Sequence, residues 1–272
     1  MSQRERIRLD TLVVDLGIVE SRDEAQRLIR RGAILVDEIP IDKPGTRIPR
    51  DAFIRCRYRA SRFVSRGGDK LDHALQVFGL SVEGCCCADL GSSTGGFVDC
   101  LLQHGAKMVY AVDVGFGQLH ERLRTDPRIV IMDRTNARFL SRERFGKSLG
   151  VVTADLSFIS LRLVLPAVRE ILSSDGWAVV LVKPQFEIGK GGVGKGGIVR
   201  RPAQHQEVLE AFMSWATGQW KVRGLEPSPI RGKDGNIEFF AWLEPGSGIS
   251  AIDVKAVVAR AHGKTESSFQ CG

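Results

Sequence analysis

The sequence predicts an α/β protein in two parts: a mostly parallel, seven-stranded sheet covered by helices on both faces, preceded by a small α+β unit. Two observations lead there. From about residue 70 onward, short β-branched apolar runs alternate with amphipathic segments of helical period, the pattern of a sheet built from β–α–β units. Before residue 60 that alternation is absent, and two helical stretches are followed by short strands around a Pro/Gly turn. A length of 272 residues, with 43% hydrophobic and 26% charged side chains, suits a folded protein of this size.

In chain order, "IRLDTLVVDLG" has helical periodicity and stops at Gly17. "SRDEAQRLIRRG" opens with Ser21 and Glu24, a capping box, and closes at Gly32. "AILVDEIPIDKPGTRIPRDAFIRCRY" then reads as two short strands. Residues 1–59 are expected to form one domain, 60–69 a basic linker, 70–246 the second domain, and 247–272 a C-terminal helix with a loose tail. In the second domain "KLDHALQVFGL" is an amphipathic helix. Strands are expected at "GCCCADL", "AKMVYAVDV", "RIVIM", "LGVVTADL" and "GWAVVLVKP", with a final pair near 219–227 and 236–243. Helices fall between them at "GGFVDCLLQHG", "GQLHERLR", "LRLVLPAVREIL" and "PAQHQEVLEAFMSWATG".

Charge and composition narrow the class. The N-terminus "MSQRERIRLD" has no apolar core of a secretory signal, and "WAVVLV" is far too short to span a bilayer, so a cytoplasmic protein without membrane partners is expected. Net charge is +7, and the segment Lys43 to Lys70 carries that much alone, with nine Lys/Arg against Asp51 and Asp69. Such a stripe, with Arg62 and Arg66 at its end, is the footprint of a polyanion binder; the plainer alternative is a solvated basic face. The six cysteines include the run Cys85-Cys86-Cys87, whose side chains alternate across a strand and cannot share one ion. The five histidines show no ligand spacing, so no metal is expected.

Ligands of parallel sheets bind at the carboxyl ends of the strands. The first such end is "ADLGSSTGGF", a glycine turn that lets a ligand approach backbone and helix N–H groups. Its spacing is not G-x-G-x-x-G. It does hold G-x-S-x-G around Ser93, but a hydrolase elbow also needs a later acid and histidine at strand ends. The remaining reading uses Asp89 together with Asp113, which ends the next strand 22 residues past Gly91. A carboxylate there can accept ribose hydroxyls. The extra acid, with no phosphate-binding lysine, suits a cationic nucleoside cofactor such as S-adenosyl-L-methionine. Asp89, Gly91, Ser92, Thr94, Gly95, Gly96, Phe97 and Asp113 are the candidate cofactor residues, with Asp133 and Asn136 of "DRTN" as candidate adenine contacts. An ordinary tight turn beside a surface Asp is the bland alternative.

Asp155 and Lys183 each follow a β-branched run, so both heads should emerge at the same sheet edge. The run "GKGGVGKG" at 189–196 approaches a phosphate loop but has Gly196 where a Ser or Thr should bind magnesium, and "GIVRRP" is not a helix start. Lys190, Lys195 and Arg200 are expected instead to touch phosphates of a polyanion such as RNA from a loop near that sheet edge, a solvated flexible loop being the alternative.

Two resemblances gather these features. "SRDEAQRLIRRGAILVD" resembles the alpha-L RNA-binding fold first known from a small-subunit ribosomal protein, which implies docking through Arg27, Arg30 and Arg31. "SRGGDKL", "DLGSSTGGF", "DLSFISL", "LVKPQFE" and "GNIEFF" together resemble the TlyA-type family, known as hemolysins and as ribosomal RNA methyltransferases. That resemblance implies a Rossmann-like class I domain similar to FtsJ-like 2′-O-methyltransferases, and cytidines of 16S and 23S ribosomal RNA, free or in ribosomal subunits, as substrates. It also places the family's Lys-Asp-Lys-Glu tetrad on Lys70, Asp155, Lys183 and Glu238. A membrane-active hemolysin and a non-catalytic RNA-binding protein are the rival functions.

Overall fold

The computed structural model describes residues 6–19, 21–56, 62–189, 192–194, 196–232, 234–249 and 251–263. The chain divides into two compact units, Met1–Arg62 and Phe63–Gly272.

In the first unit β1 (Arg6–Arg8) runs straight into α1 (Leu9–Asp15), followed by α2 (Arg22–Arg30), β2 (Ile34–Val36), β3 (Ile39–Pro40), β4 (Arg47–Pro49) and β5 (Ile54–Cys56). β1 pairs with β4, and β2 lies between β3 and β5. The Ser21 hydroxyl accepts the Glu24 N–H at 3.2 Å, capping α2. Leu9, Leu12 and Val13 of α1 pack with Ala25 and Ile29 of α2 over Ile34 and Ile48. Asp10 is enclosed, and its carboxylate accepts from Arg8 (3.0 Å), Arg22 (3.1 Å) and Gln26 (3.1 Å). The Arg8 bond foremost, then those from Arg22 and Gln26, hold its carboxyl well below the usual range despite burial. Two expectations change here. The first helix starts at Leu9 rather than Ile7, because Arg6–Arg8 are drawn into the ladder with Arg47–Pro49. More strands form than the expected two: Asp37 and Glu38 take left-handed backbone (φ 48° and 66°) and fold β2 onto β3. That turn usually carries Asn-Gly or Asp-Gly, and Glu38 hid it.

The second unit runs α3 (Arg66–Phe78), β6 (Cys86–Leu90), α4 (Gly96–Gln103), β7 (Met108–Val112), α5 (Glu121–Arg124), β8 (Ile129–Met132), β9 (Leu149–Ala154), α6 (Leu165–Ile171) and β10 (Leu172–Val182). It continues with α7 (Pro184–Glu187), α8 (Pro202–Ala216), β11 (Trp220–Pro227), β12 (Phe239–Pro245), β13 (Gly248–Ile249) and α9 (Val254–Gly263). The sheet order is β13-β11-β12-β10-β9-β6-β7-β8. β10, β9, β6, β7 and β8 are parallel neighbours, while β12 runs antiparallel to β10 and β11. The seven expected strands are all there, and β13 adds a two-residue eighth beside β11.

Both faces are covered, as strand alternation requires. Cys87, Val151, Val179, Leu181 and Phe240 face Leu71 and Leu75 of α3 and Val98 and Leu101 of α4. Ala88, Val152, Val180 and Phe239 face Val168 of α6, Phe212 of α8 and Val257 of α9. Each such Val, Leu or Phe contributes roughly 1.5–3 kcal/mol on burial.

Three boundaries differ from expectation. The presumed linker 60–69 is helical from Arg66, and Phe63 is buried in the core. Gly68 permits this, since a Cβ there would lie 2.3 Å from Phe63 Cβ. The helix expected over 117–124 contracts to α5, with Gly117 at φ 67° outside it. The one over 161–172 splits into a 3-10 turn at Leu161–Leu163 and α6.

Candidate active site

Strand alternation carries a row of polar residues to the carboxyl ends on the α3/α4 face. Asp89 and Thr153 lie opposite each other in neighbouring strands, on the side shared by Cys87 and Val151. Asp155 follows Ala154 and extends that ladder by donating its N–H to Leu90 O at 3.0 Å. Val182 pairs with Phe239 in the antiparallel ladder, so one further step sets Lys183 against Glu238. Lys183 keeps extended backbone, so directly opposed side chains share a face. Lys70 comes to the same place from the first turns of α3.

The four residues form two ion pairs. Lys70 Nζ donates to Glu238 Oε2 at 2.6 Å, with both residues buried. Lys183 Nζ lies 2.6 Å from Asp155 Oδ1 and donates to Ser157 Oγ at 3.1 Å. The Lys183–Asp155 contact is close but not aligned as a hydrogen bond, and Asp155 Oδ1 remains a buried acceptor without a hydrogen-bond partner. Gly232 makes room for the other pair, since a Cβ there would lie 2.6 Å from Glu238 Oε1.

The glycine turn after β6 abuts this edge. Gly91 (φ 83°) lies so close to the Asp155 loop that a Cβ would fall 2.6 Å from Asp155 O. Asp113 receives the N–H of Ser93 (2.8 Å) on one oxygen and of Gly115 (2.7 Å) on the other, leaving lone pairs for a hydroxyl. Asp89 is 1% exposed and accepts the Thr153 hydroxyl at 2.8 Å. Burial, reinforced by the charges of Asp155 and Asp113, pushes its carboxyl up to about 8.

Other expected cofactor residues have structural duties. Ser92 donates its N–H to Val112 O, and Thr94 O accepts the His120 N–H. Gly95 (φ 93°) starts α4, and Gly96 packs against the start of α3, where a Cβ would meet Ser65 Oγ at 2.2 Å. The Phe97 ring is buried in the helix layer, its centroid 6.2 Å from that of Phe240. Asp133 accepts the Gly117 N–H at 2.9 Å, and Asn136 caps a turn through Arg138 N at 3.0 Å, so both brace the loops after β7 and β8.

Of the expected RNA-binding residues, Arg27, Arg30 and Arg31 are exposed at the end of α2; Arg62, Arg66 and Arg200 are also exposed. Lys190 and Lys195 lie outside the described residues. Asn236 joins the neighbouring loops, accepting Val199 N at 2.9 Å and donating to Gly197 O at 3.0 Å.

Sequence reading missed an aromatic pair beside Lys183. Phe158 is 91% exposed, has left-handed backbone (φ 63°), and sits with its ring centroid 5.2 Å from that of Phe186. Lys183 Nζ is 6.0 Å from the Phe186 centroid. Glu187 clamps the two loops, accepting Ser160 Oγ and Leu161 N, each at 2.7 Å. The available signal was a large apolar residue flanked by Ser157, Ile159 and Ser160 just beyond a strand end.

No described helix is long and apolar enough to cross a membrane. Residues 63–244 match the FtsJ-like methyltransferase family and residues 7–54 the S4 domain. The 16S/23S rRNA (cytidine-2'-O)-methyltransferase TlyA of Mycobacterium tuberculosis is 43% identical over 260 residues, covering 94% of this chain and 97% of that protein. Hemolysin A of Brachyspira hyodysenteriae is 40% identical over 237 residues, covering 86% and 98%. A solved structure from Streptococcus thermophilus, described as a candidate hemolysin, superposes with a TM-score of 0.77 at 42% identity, covering 96% and 97%. With a family match over residues 63–244, an S4 domain before it and near full-length relatives, the chain belongs to the FtsJ-like methyltransferases of the TlyA type.

Proposed function

We propose that this protein transfers a methyl group from S-adenosyl-L-methionine to the 2′-hydroxyl of ribosomal RNA, at cytidines of the 16S and 23S molecules. The observation that carries the reading is the meeting of the Lys70–Glu238 and Lys183–Asp155 pairs beside the Gly91 turn. The residues suit this cofactor. Asp89 is a buried acid whose ionisation a nearby cation would favour, and Asp113 keeps carboxylate lone pairs for ribose hydroxyls beside its two backbone donors. Asp89 and Asp113 would hold its charged and ribose ends. When bound, the cofactor supplies an electrophilic methyl on a sulfonium.

The chain's own residues supply alignment and a proton acceptor. The Lys183 amine, in its unprotonated form, takes the hydroxyl proton as the sugar oxygen attacks. Asp155 and Ser157 aim that amine. Glu238 fixes Lys70 next to it. Phe158 and Phe186 offer an exposed aromatic face on which the target base stacks, as unpaired RNA bases do. Holding the oxygen in line supplies much of the acceleration. The S4 domain docks on RNA through Arg27, Arg30 and Arg31, and phosphate contacts make binding salt-dependent.

The test is incubation of the full chain with ribosomal subunits and methyl-labelled cofactor, with 2′-O-methylnucleosides read by mass spectrometry. Wild type should label cytidines. Lys183→Ala should lose at least ninety-nine hundredths of turnover while cofactor affinity stays within about twofold. Turnover above a tenth of wild type removes Lys183 from the proton-accepting role. Tight RNA binding without any label would favour the non-catalytic reading, and leakage from liposomes the membrane-active one.

A further inference from the structure

We infer that Asp72, Cys100 and His104 form a site for a zinc-like divalent ion that clamps α3 to α4. Cys100, in the middle of α4, and His104, at its C-terminal cap, stand four positions apart and so share one helix face. Asp72 reaches them from α3. One ligand atom from each residue, a sulfur, an imidazole nitrogen and a carboxylate oxygen, lies within 4.8 Å of the other two. His104 Nε2 and Asp72 Oδ1 are already 2.7 Å apart.

Tetrahedral zinc, with bonds of about 2.0–2.3 Å, sets its ligand atoms roughly 3.3–3.5 Å from one another. Small side-chain rotations therefore convert the cluster into a ligand set: the His–Asp contact opens slightly and the longest separation closes. A thiolate and an imidazole select zinc or cobalt over magnesium and calcium, which take oxygen ligands. Cys100 is buried, while the His104 side chain is 31% exposed, so a water completes the fourth position from the solvent side. Binding displaces the thiol proton, and affinity falls as pH falls. The clamp joins the helix that carries Lys70 to the one that starts at the Gly95–Gly96 turn. The sequence showed no histidine ligand spacing, so no metal was expected; here one of the three ligands, Asp72, comes from another helix.

The experiment uses the full chain, stripped with chelator and titrated with Co2+, which Zn2+ then displaces. One equivalent should bind, with a thiolate-to-cobalt band in the near ultraviolet and tetrahedral bands in the visible, and Zn2+ should raise the melting temperature. Cys100→Ser and His104→Ala should each abolish the thiolate-linked spectrum, and Asp72→Asn should weaken Zn2+ binding. The variant with serine at both Cys85 and Cys86 should bind like wild type. Circular dichroism checks each fold, and the partly exposed His104→Ala decides if Cys100→Ser fails to fold. Absence of a thiolate band in wild type, survival of the band in His104→Ala, or its loss in the Cys85/Cys86 variant overturns the site.

Discussion

Binding of the cationic cofactor should expel a proton from Asp89. The carboxyl is sealed from solvent, receives a single side-chain hydrogen bond, from Thr153, and is pushed up to about 8 by burial and by the neighbouring acids. At pH 7 such a group is about nine-tenths protonated. A positive charge within about 4–6 Å favours the carboxylate, so the complex holds Asp89 ionised. Isothermal titration calorimetry in two buffers of different ionisation enthalpy should therefore report about 0.9 proton released per cofactor at pH 7. Affinity should rise about tenfold between pH 6 and pH 7, a range in which the cofactor's own amino group stays largely charged. In Asp89→Asn both signals should vanish and affinity should drop. The same shift affects folding: the native state holds this proton while the unfolded chain loses it near 4, so its contribution to stability falls as pH rises from about 4 toward 8. Release below about 0.2 proton at pH 7 in wild type, or an unchanged pH slope in Asp89→Asn, refutes the argument.

The Lys70–Glu238 pair should be dispensable for folding but not for methyl transfer. Glu238→Ala should cost about 3–5 kcal/mol in urea unfolding, whereas Lys70→Met with Glu238→Leu should be neutral or stabilising by about 1–4 kcal/mol and inactive; an active double variant would leave the pair without a catalytic task. Phe158→Ala should lower kcat/KM on ribosomal subunits about 5–150-fold, the equivalent of about 1–3 kcal/mol of stacking, with cofactor affinity unchanged in equilibrium dialysis. Equal loss of cofactor binding would mean that Phe158 shapes the cofactor turn instead. Replacing Arg27, Arg30 and Arg31 together with alanine should weaken subunit binding and flatten its log–log salt dependence by about 2–3, as measured by filter binding. An unchanged slope would move the docking face elsewhere.

What was legible in the sequence was whatever strand period and strand ends control. Asp155 and Lys183 could be placed on one edge because each closes a β-branched run, Asp89 because it ends the strand before the glycine turn, and the ladder register then brings Glu238 opposite Lys183. Loop chemistry was harder to read. Asp37–Glu38 adopts a turn whose usual glycine is missing, and the helical start at Arg66 was hidden by Gly67 and Gly68, which look like linker residues although Gly68 is needed for close packing of Phe63. That the Phe97 ring packs against Phe240 was not legible, because a residue after a glycine turn can face either the ligand or the helix layer. Phe158 escaped because exposure of an aromatic is a property of the surrounding loops.

The charge ledger of the edge explains why so much ionisable chemistry is tolerated under a helix layer. Buried ion pairs are poor sources of stability, since desolvation offsets their attraction. Their presence where the ends of three strands meet α3 therefore points to chemistry. Two lysines face Asp155 and Glu238, and Asp113 is compensated by backbone N–H groups, so an ionised Asp89 would leave an uncompensated negative charge beside two other acids. It keeps its proton instead. A cation entering beside Asp89 restores the balance in the ionised state, so the site is matched to a ligand that is positively charged where it meets this acid. A neutral product leaves that charge unmatched again. By this argument the demethylated cofactor, which lacks the sulfonium charge, should bind more weakly than the methylated one at pH 7 and with a smaller proton release, and in Asp89→Asn the two affinities should converge. If the demethylated form binds wild type as tightly as the methylated form does, the acid does not sense the sulfonium.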